Sequence, residues 1–152
     1  MTDDIDDYLE KFTVEALYAA DSLQASIWGV ARDFTQPSLD YSRKSLVTLA
    51  LWLQMGALGR TASPSDVVGR YGAQYLGAVI QEHALAFWER GEGDHYGLCL
   101  PLRDVAPRHI ELTRPVAQWL EAMRRGDTFC PDVFVRSFDA ATAGALPPVT
   151  MR

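Results

Sequence analysis

"EHALAFWERGEGDHYGLCL", residues 82–100, gathers His83 and His95, the carboxylates of Glu82, Glu89, Glu92 and Asp94, and Trp88 around two glycines. As a ligand cluster it predicts a metal or acid–base site. As a helix end, a turn and a hairpin it makes the chain α+β. From Leu85 to Leu102 apolar and polar residues alternate weakly about Gly91-Glu92-Gly93, the pattern of two antiparallel strands. "RHIELT", residues 108–113, predicts a third strand.

The segment before this stretch fixes its first part as a helix end. In "TASPSDVVGRYGAQYLGAVIQEHA" Ser63 is a predicted N-cap, Pro64 the first helical residue, and Asp66 completes a capping box. Gly69, Ala73 and Gly77 follow at four-residue spacing and predict a groove of small side chains where another element packs closely. Each glycine costs a helix about 1 kcal/mol relative to alanine, so a packing reason is expected. No phosphate-cradling GxGxxG or GxxxxGK[ST] pattern is present.

Further out, Ile5, Leu9, Phe12, Ala16, Ala19, Leu23, Ile27, Val30 and Phe34 recur at three- and four-residue steps, predicting one long amphipathic helix that frays before Pro37. A second helix is expected from "LDYSRKSL", with Asp40 or Ser42 as N-cap, to Gly59. Its "LVTLALWLQMGAL" is apolar nearly all round, so it is expected at the centre of the fold, with a homodimer through this helix as the alternative. "RPVAQWLEAMRRG" predicts a helix with Pro115 near its start and Gly126 as its C-terminal cap. "TFCPDVFVRSFDAA" predicts a final short helix from near Pro131. The expected organisation is one domain over residues 1–139 with a loose tail over 140–152: N-terminal helices packed on a small antiparallel sheet of about three strands, then C-terminal helices.

Charge is unevenly placed. Residues 1–40 carry nine acids, Asp3, Asp4, Asp6 and Asp7 among them, against Lys11 and Arg32, a net charge of −7; residues 41–152 carry a net +1. Such a surface repels nucleic acid and anionic membrane and attracts a basic partner. Acids near a helix N-terminus also serve solubility and the helix dipole. "MTDDIDDYLE" lacks the basic and apolar regions of a signal peptide, and the uncharged run Ser45–Gly59 is too short to span a bilayer, so a cytoplasmic protein is expected. Cys99 and Cys130 have no CxxC partners and are expected to be reduced thiols, with Cys99 buried.

"LDYSRKSL" (Leu39–Leu46), followed by "YLGAVI" (Tyr75–Ile80) and a tryptophan-containing strand, resembles a group of small uncharacterised bacterial proteins. The resemblance spans about residues 25–138 and implies a helical N-terminal half, a short sheet and C-terminal helices. It implies no function. Ala78 stands where that pattern often has a glutamate.

Zinc catalysis needs about three convergent ligands, commonly two at helical spacing. Glu82 and His83 adjoin and point apart on a helix, and a site joining His83, Glu92 or Asp94, and His95 requires the hairpin to fold back on the helix end. The favoured reading gives His83 to exposed helix-end carbonyls and His95 to an exposed turn. Glu89 with Glu92 or Asp94 is read as a solvated turn, and no GxSxG or local Cys-His pair exists. No catalytic, cofactor or metal residue is therefore expected. Trp28, Trp52 and Trp119 are expected in the core; Trp88, beside Glu89, Glu92 and Asp94, is the candidate interface anchor. The favoured function is a non-catalytic binding protein, like an immunity protein or effector chaperone, meeting a protein partner through its acidic surface. The alternatives are a metal-dependent or small-molecule enzyme with a site between the third helix and the hairpin, and a homodimeric structural module.

Overall fold

A computed structural model of the chain describes residues 3–28, 39–55, 65–93, 95–125 and 133–148. The fold is α+β. Among the described residues there are six helices, α1 (Asp3–Ala16), α2 (Ala19–Trp28), α3 (Arg43–Met55), α4 (Ser65–His83), α5 (Thr113–Arg124) and α6 (Val133–Thr142), and three strands, β1 (Phe87–Arg90), β2 (Tyr96–Leu102) and β3 (Val105–Glu111). The strands form one antiparallel sheet in the order β1-β2-β3. Several expected signals lie outside the described residues: the chain from Gly29 through Pro37, the helix end at Gly59, Ser63 and Pro64 of the capping box, Asp94, Gly126, Cys130 and Pro131.

The central element is α4, which packs against α1, α2, α3, α5 and α6. This corrects the expectation that the apolar second helix is central. That helix is α3, and it buries Leu46, Leu49 and Ala50 while leaving Val47 and Leu51 exposed. The difference lies in side-chain size: α4 reads as less apolar because glycine and alanine line it, and those small residues are what let neighbours approach. A Cβ on Gly77 would stand 2.2 Å from Cη2 of Trp88 and 3.1 Å from Cδ1 of Leu112, and one on Gly69 would stand 3.0 Å from Cδ1 of Leu120. The stripe is thus the seat of the sheet and of α5.

The expected single N-terminal helix is two. Amides of Leu17 and Tyr18 bond back three residues, to the carbonyls of Val14 and Glu15, and the chain turns before α2 begins. Phe12 and Ala16 on one side of the bend and Ala19 and Leu23 on the other are all buried. The apolar spacing is helical through the bend, so periodicity alone does not reveal it. From α4, Gln74 donates its Nε2 to the carbonyl of Phe12 at 3.0 Å, and Arg70 pairs with Glu15 while its guanidinium lies 5.5 Å from the centre of the Phe12 ring.

Of the two candidates, Ser42 is the cap of α3, and Asp40 braces Ser42. Ser42 Oγ accepts from the amide of Ser45 at 3.2 Å, and Asp40 Oδ1 accepts from the hydroxyl and amide of Ser42 at 2.5 and 3.1 Å. These bonds hold the Asp40 carboxyl below its ordinary range. Between them Tyr41 sits at a φ of 64°, a left-handed conformation costly for a bulky residue. Tyr75 of α4 holds it there: its hydroxyl accepts from the Tyr41 amide at 2.8 Å and meets Ser45 Oγ at 2.6 Å, and the two rings lie 5.0 Å apart. The "LDYS" and "YLG" segments are therefore one structural unit.

At the other end, α6 runs past the expected tail boundary to Thr142, with Ala141 fully buried. Arg108 Nη1 donates to the carbonyls of Ala140 and Ala141 at 3.1 and 2.8 Å, Gly144 turns the chain at a φ of 68°, and the Leu146 carbonyl accepts from the Leu85 amide at 2.8 Å. Residues 140–146 are thus docked structure and not a loose tail. Short side chains concealed this, because Ala141 and Ala145 carry little hydrophobic signal.

Candidate functional site

The sheet has one covered and one open face. Trp88, Leu98, Leu100 and Ile110 lie toward the helices, whereas Phe87, Glu89, Cys99, His109 and Glu111 point the other way, all exposed or partly so. The sharp division corrects the expected recognition edge. Trp88 and Glu89 are neighbours in sequence, so a strand sends them to opposite faces. The Trp88 indole fills the notch at Gly77 and meets the Phe12 ring edge-on at 5.0 Å, with Phe12 stacked in turn on Tyr96 at 4.1 Å. Trp88 is a half-buried packing residue. Glu92 is almost fully exposed, 3.8 Å from Arg114. Asp94 lies outside the described residues, as do the side chains of Asp3, Asp4, Asp6 and Asp7 on α1.

The histidines of the opening stretch do not share a site. His83 ends α4, edge-on to Phe138 at 5.2 Å, and its Nε2 approaches the carbonyl of Tyr41 at 3.3 Å and not a carbonyl of its own helix end. His95 is half-buried where an exposed turn residue is expected, with Nδ1 3.2 Å from Thr113 Oγ1. Thr113 also accepts the Tyr96 amide at 2.9 Å, tying the hairpin to the start of α5.

Chemistry gathers instead on the open face. Cys99 of β2 pairs directly with His109 of β3, and Glu89 of β1 reaches the same point from the next row. Among the described residues these three form the one group of three His, Cys, Asp or Glu side chains whose donor atoms all lie within 4.8 Å of one another. Glu89 Oε1 and His109 Nδ1 are 2.7 Å apart. The next row is Glu89, Gly97 and Glu111. Gly97 is tightly required, since a Cβ there would stand 2.1 Å from the Ile110 carbonyl oxygen, and its bare backbone floors a depression of about 400 Å³ between the two glutamates. Glu111 is held 3.5 Å from Arg114.

Sequence reading missed this group because it passed over His109 and placed Cys99 in the core; Cys99 is partly exposed. The available signal was alternation: His109 and Glu111 share a face in any strand reading of "RHIELT". The missing piece was register. A two-residue turn at Arg103-Asp104 pairs Leu102 with Val105, and counting on from there would set Cys99 opposite Arg108. A bulge in β3 at Ala106-Pro107 adds one residue and sets Cys99 opposite His109.

Exposed apolar side chains also stand along α1 and at the bend that follows it. Tyr8, Val14, Leu17 and Tyr18 are 61, 50, 69 and 63% exposed. They lie within the segment of net charge −7. No protein family, curated protein or solved structure matches this chain. No helix among the described residues is long and apolar enough to cross a membrane.

Proposed function

We propose that the protein acts by binding, without catalysis, a protein partner with a basic docking surface, in the manner of an immunity protein or effector chaperone. The observation that carries this reading is the exposure of Tyr8, Val14, Leu17 and Tyr18 within the most acidic quarter of the chain. Exposed aromatic and aliphatic anchors rimmed by charge are the anatomy of a recognition surface. The excess of negative charge in this segment gives fast, salt-sensitive association with a partner of opposite sign. The test compares affinity capture from the native host by the wild type and by Leu17→Asp/Tyr18→Asp, at low and moderate salt. The expected result is a basic protein held by the wild type, weakened by salt, and at least about tenfold depleted with the variant. The same proteins recovered in equal amounts by both chains would refute the reading.

A homodimer has its own observation in Val47 and Leu51, exposed one turn apart on α3. Sedimentation of Leu51→Glu against the wild type tests it: a wild-type dimer that becomes a monomer supports the interface, and a monomeric wild type removes it.

A further inference from the structure

We propose that Glu89, Cys99 and His109 form a zinc site on the open face of the sheet. Three adjacent strands deliver one nitrogen, one oxygen and one sulfur donor to one point, their atoms within 4.8 Å of one another. Magnesium and calcium take oxygen ligands, and a mixed set with a thiolate selects a borderline-soft ion; zinc binds all three donor types.

The separations suit an ion that replaces protons. In a tetrahedral zinc site nitrogen and oxygen ligands stand about 3.3 Å apart, given bonds of ~2.0–2.1 Å. His109 Nδ1 and Glu89 Oε1 are 2.7 Å apart, bridged by hydrogen. On metal entry the Cys99 thiol proton leaves to solvent, the His109 ring takes the neutral tautomer that carries its proton on Nε2 and turns its Nδ1 lone pair to the metal, and the pair opens by a small side-chain rotation. That rotation meets little resistance, because the His109 side chain is 62% exposed and packs into no core.

Three protein ligands leave the fourth position open. Two of the ligands, Glu89 and His109, also line the depression beside Gly97, and water or an incoming donor atom would complete the tetrahedron. The sheet backbone fixes Cys99 and His109 as a cross-strand pair, so two of the three ligands are positioned before metal binds. The site lies apart from the α1–α2 surface, and either proposal stands without the other.

The test is a cobalt titration of the full chain followed by zinc competition. The expected result is one Co²⁺ per chain with a thiolate-to-cobalt charge-transfer band and the intense visible bands of tetrahedral coordination, both erased by Zn²⁺. Cys99→Ser removes the charge-transfer band and Cys130→Ser keeps it. His109→Ala and Glu89→Gln, both at solvent-facing positions, weaken zinc affinity by at least ~100-fold against a chromophoric chelator, more than the loss of an outer-sphere partner would. Circular dichroism confirms that each variant is folded. No thiolate band, a band lost with Cys130→Ser instead of Cys99→Ser, or an unchanged affinity in His109→Ala would each overturn the site.

Discussion

Replacing Tyr75 with phenylalanine tests whether the "LDYS" and "YLG" segments hold each other. The ring is fully buried and phenylalanine fills its space, so the change removes one oxygen and little else. That oxygen accepts from the Tyr41 amide and bonds Ser45 Oγ, which itself donates to the Ser42 carbonyl at 2.6 Å. Two hydrogen bonds at ~1 kcal/mol each give a loss of about 2 kcal/mol. For a chain of this size that is a fall of roughly 4–8 °C in Tm, with the urea midpoint lowered and the m-value unchanged. Alkaline pH supplies an independent check. Burial raises the Tyr75 hydroxyl from the ordinary 10.0 to about 12. The unfolded chain therefore gives up this proton first, and the stability tied to the neutral hydroxyl is full below pH 10.0 and lost as pH climbs toward about 12. Phenylalanine has no such proton, so the gap between wild type and variant narrows over that window. A loss under ~0.5 kcal/mol, the scatter expected of neutral surface changes, would refute the mutual-support reading.

Gly77→Ala sets a Cβ 2.2 Å from the Trp88 ring, and overpacking of ~1–3 kcal/mol outweighs the ~0.5–1 kcal/mol that alanine contributes to a helix. Urea denaturation should therefore show a net loss, larger than for Gly69→Ala, whose nearest atom is at 3.0 Å; a stabilised Gly77→Ala would contradict the notch. A chain ending after Asp139 loses the acceptors of Arg108 and the carbonyl partner of Leu85, three hydrogen bonds worth about 3 kcal/mol together, besides the buried Ala141. Thermal melting should separate it clearly from a chain ending after Pro148, and coincident melts would restore the domain boundary at residue 139.

The fold was legible where a local signal coincided with a geometric need. Gly69 and Gly77 announced a close approach and the structure supplies Leu120 and Trp88; Gly91 and Gly93 announced the hairpin turn. Asp40 and Ser42 announced a cap. What stayed hidden depends on partners remote in sequence. The bend at Leu17 follows residues that α4 holds from afar, Phe12 through Gln74 and Glu15 through Arg70, and nothing in the local spacing marks it. The centrality of α4 was masked because hydrophobicity measures side-chain surface, whereas a central helix in this chain is chosen for how little side chain it carries.

The candidate site was illegible for a related reason, and the reason has a direction. Glu89, Cys99 and His109 span 21 positions, and what joins them is the register of two strand pairs. The first pair could be counted from the glycine turn. The second could not, because Pro101 and Pro107, neither able to donate to the ladder, sit where the register slips by one. Without that slip Cys99 would face Arg108, and His109 would be directed toward the helices. The single extra residue thus does two things at once. It sends Arg108 inward to cap α6 through Ala140 and Ala141, and it sends His109 outward to Cys99 and Glu89. Deleting Ala106 would reverse both, so the packing of the C-terminal helix and the assembly of the three donors are fixed by one feature of β3.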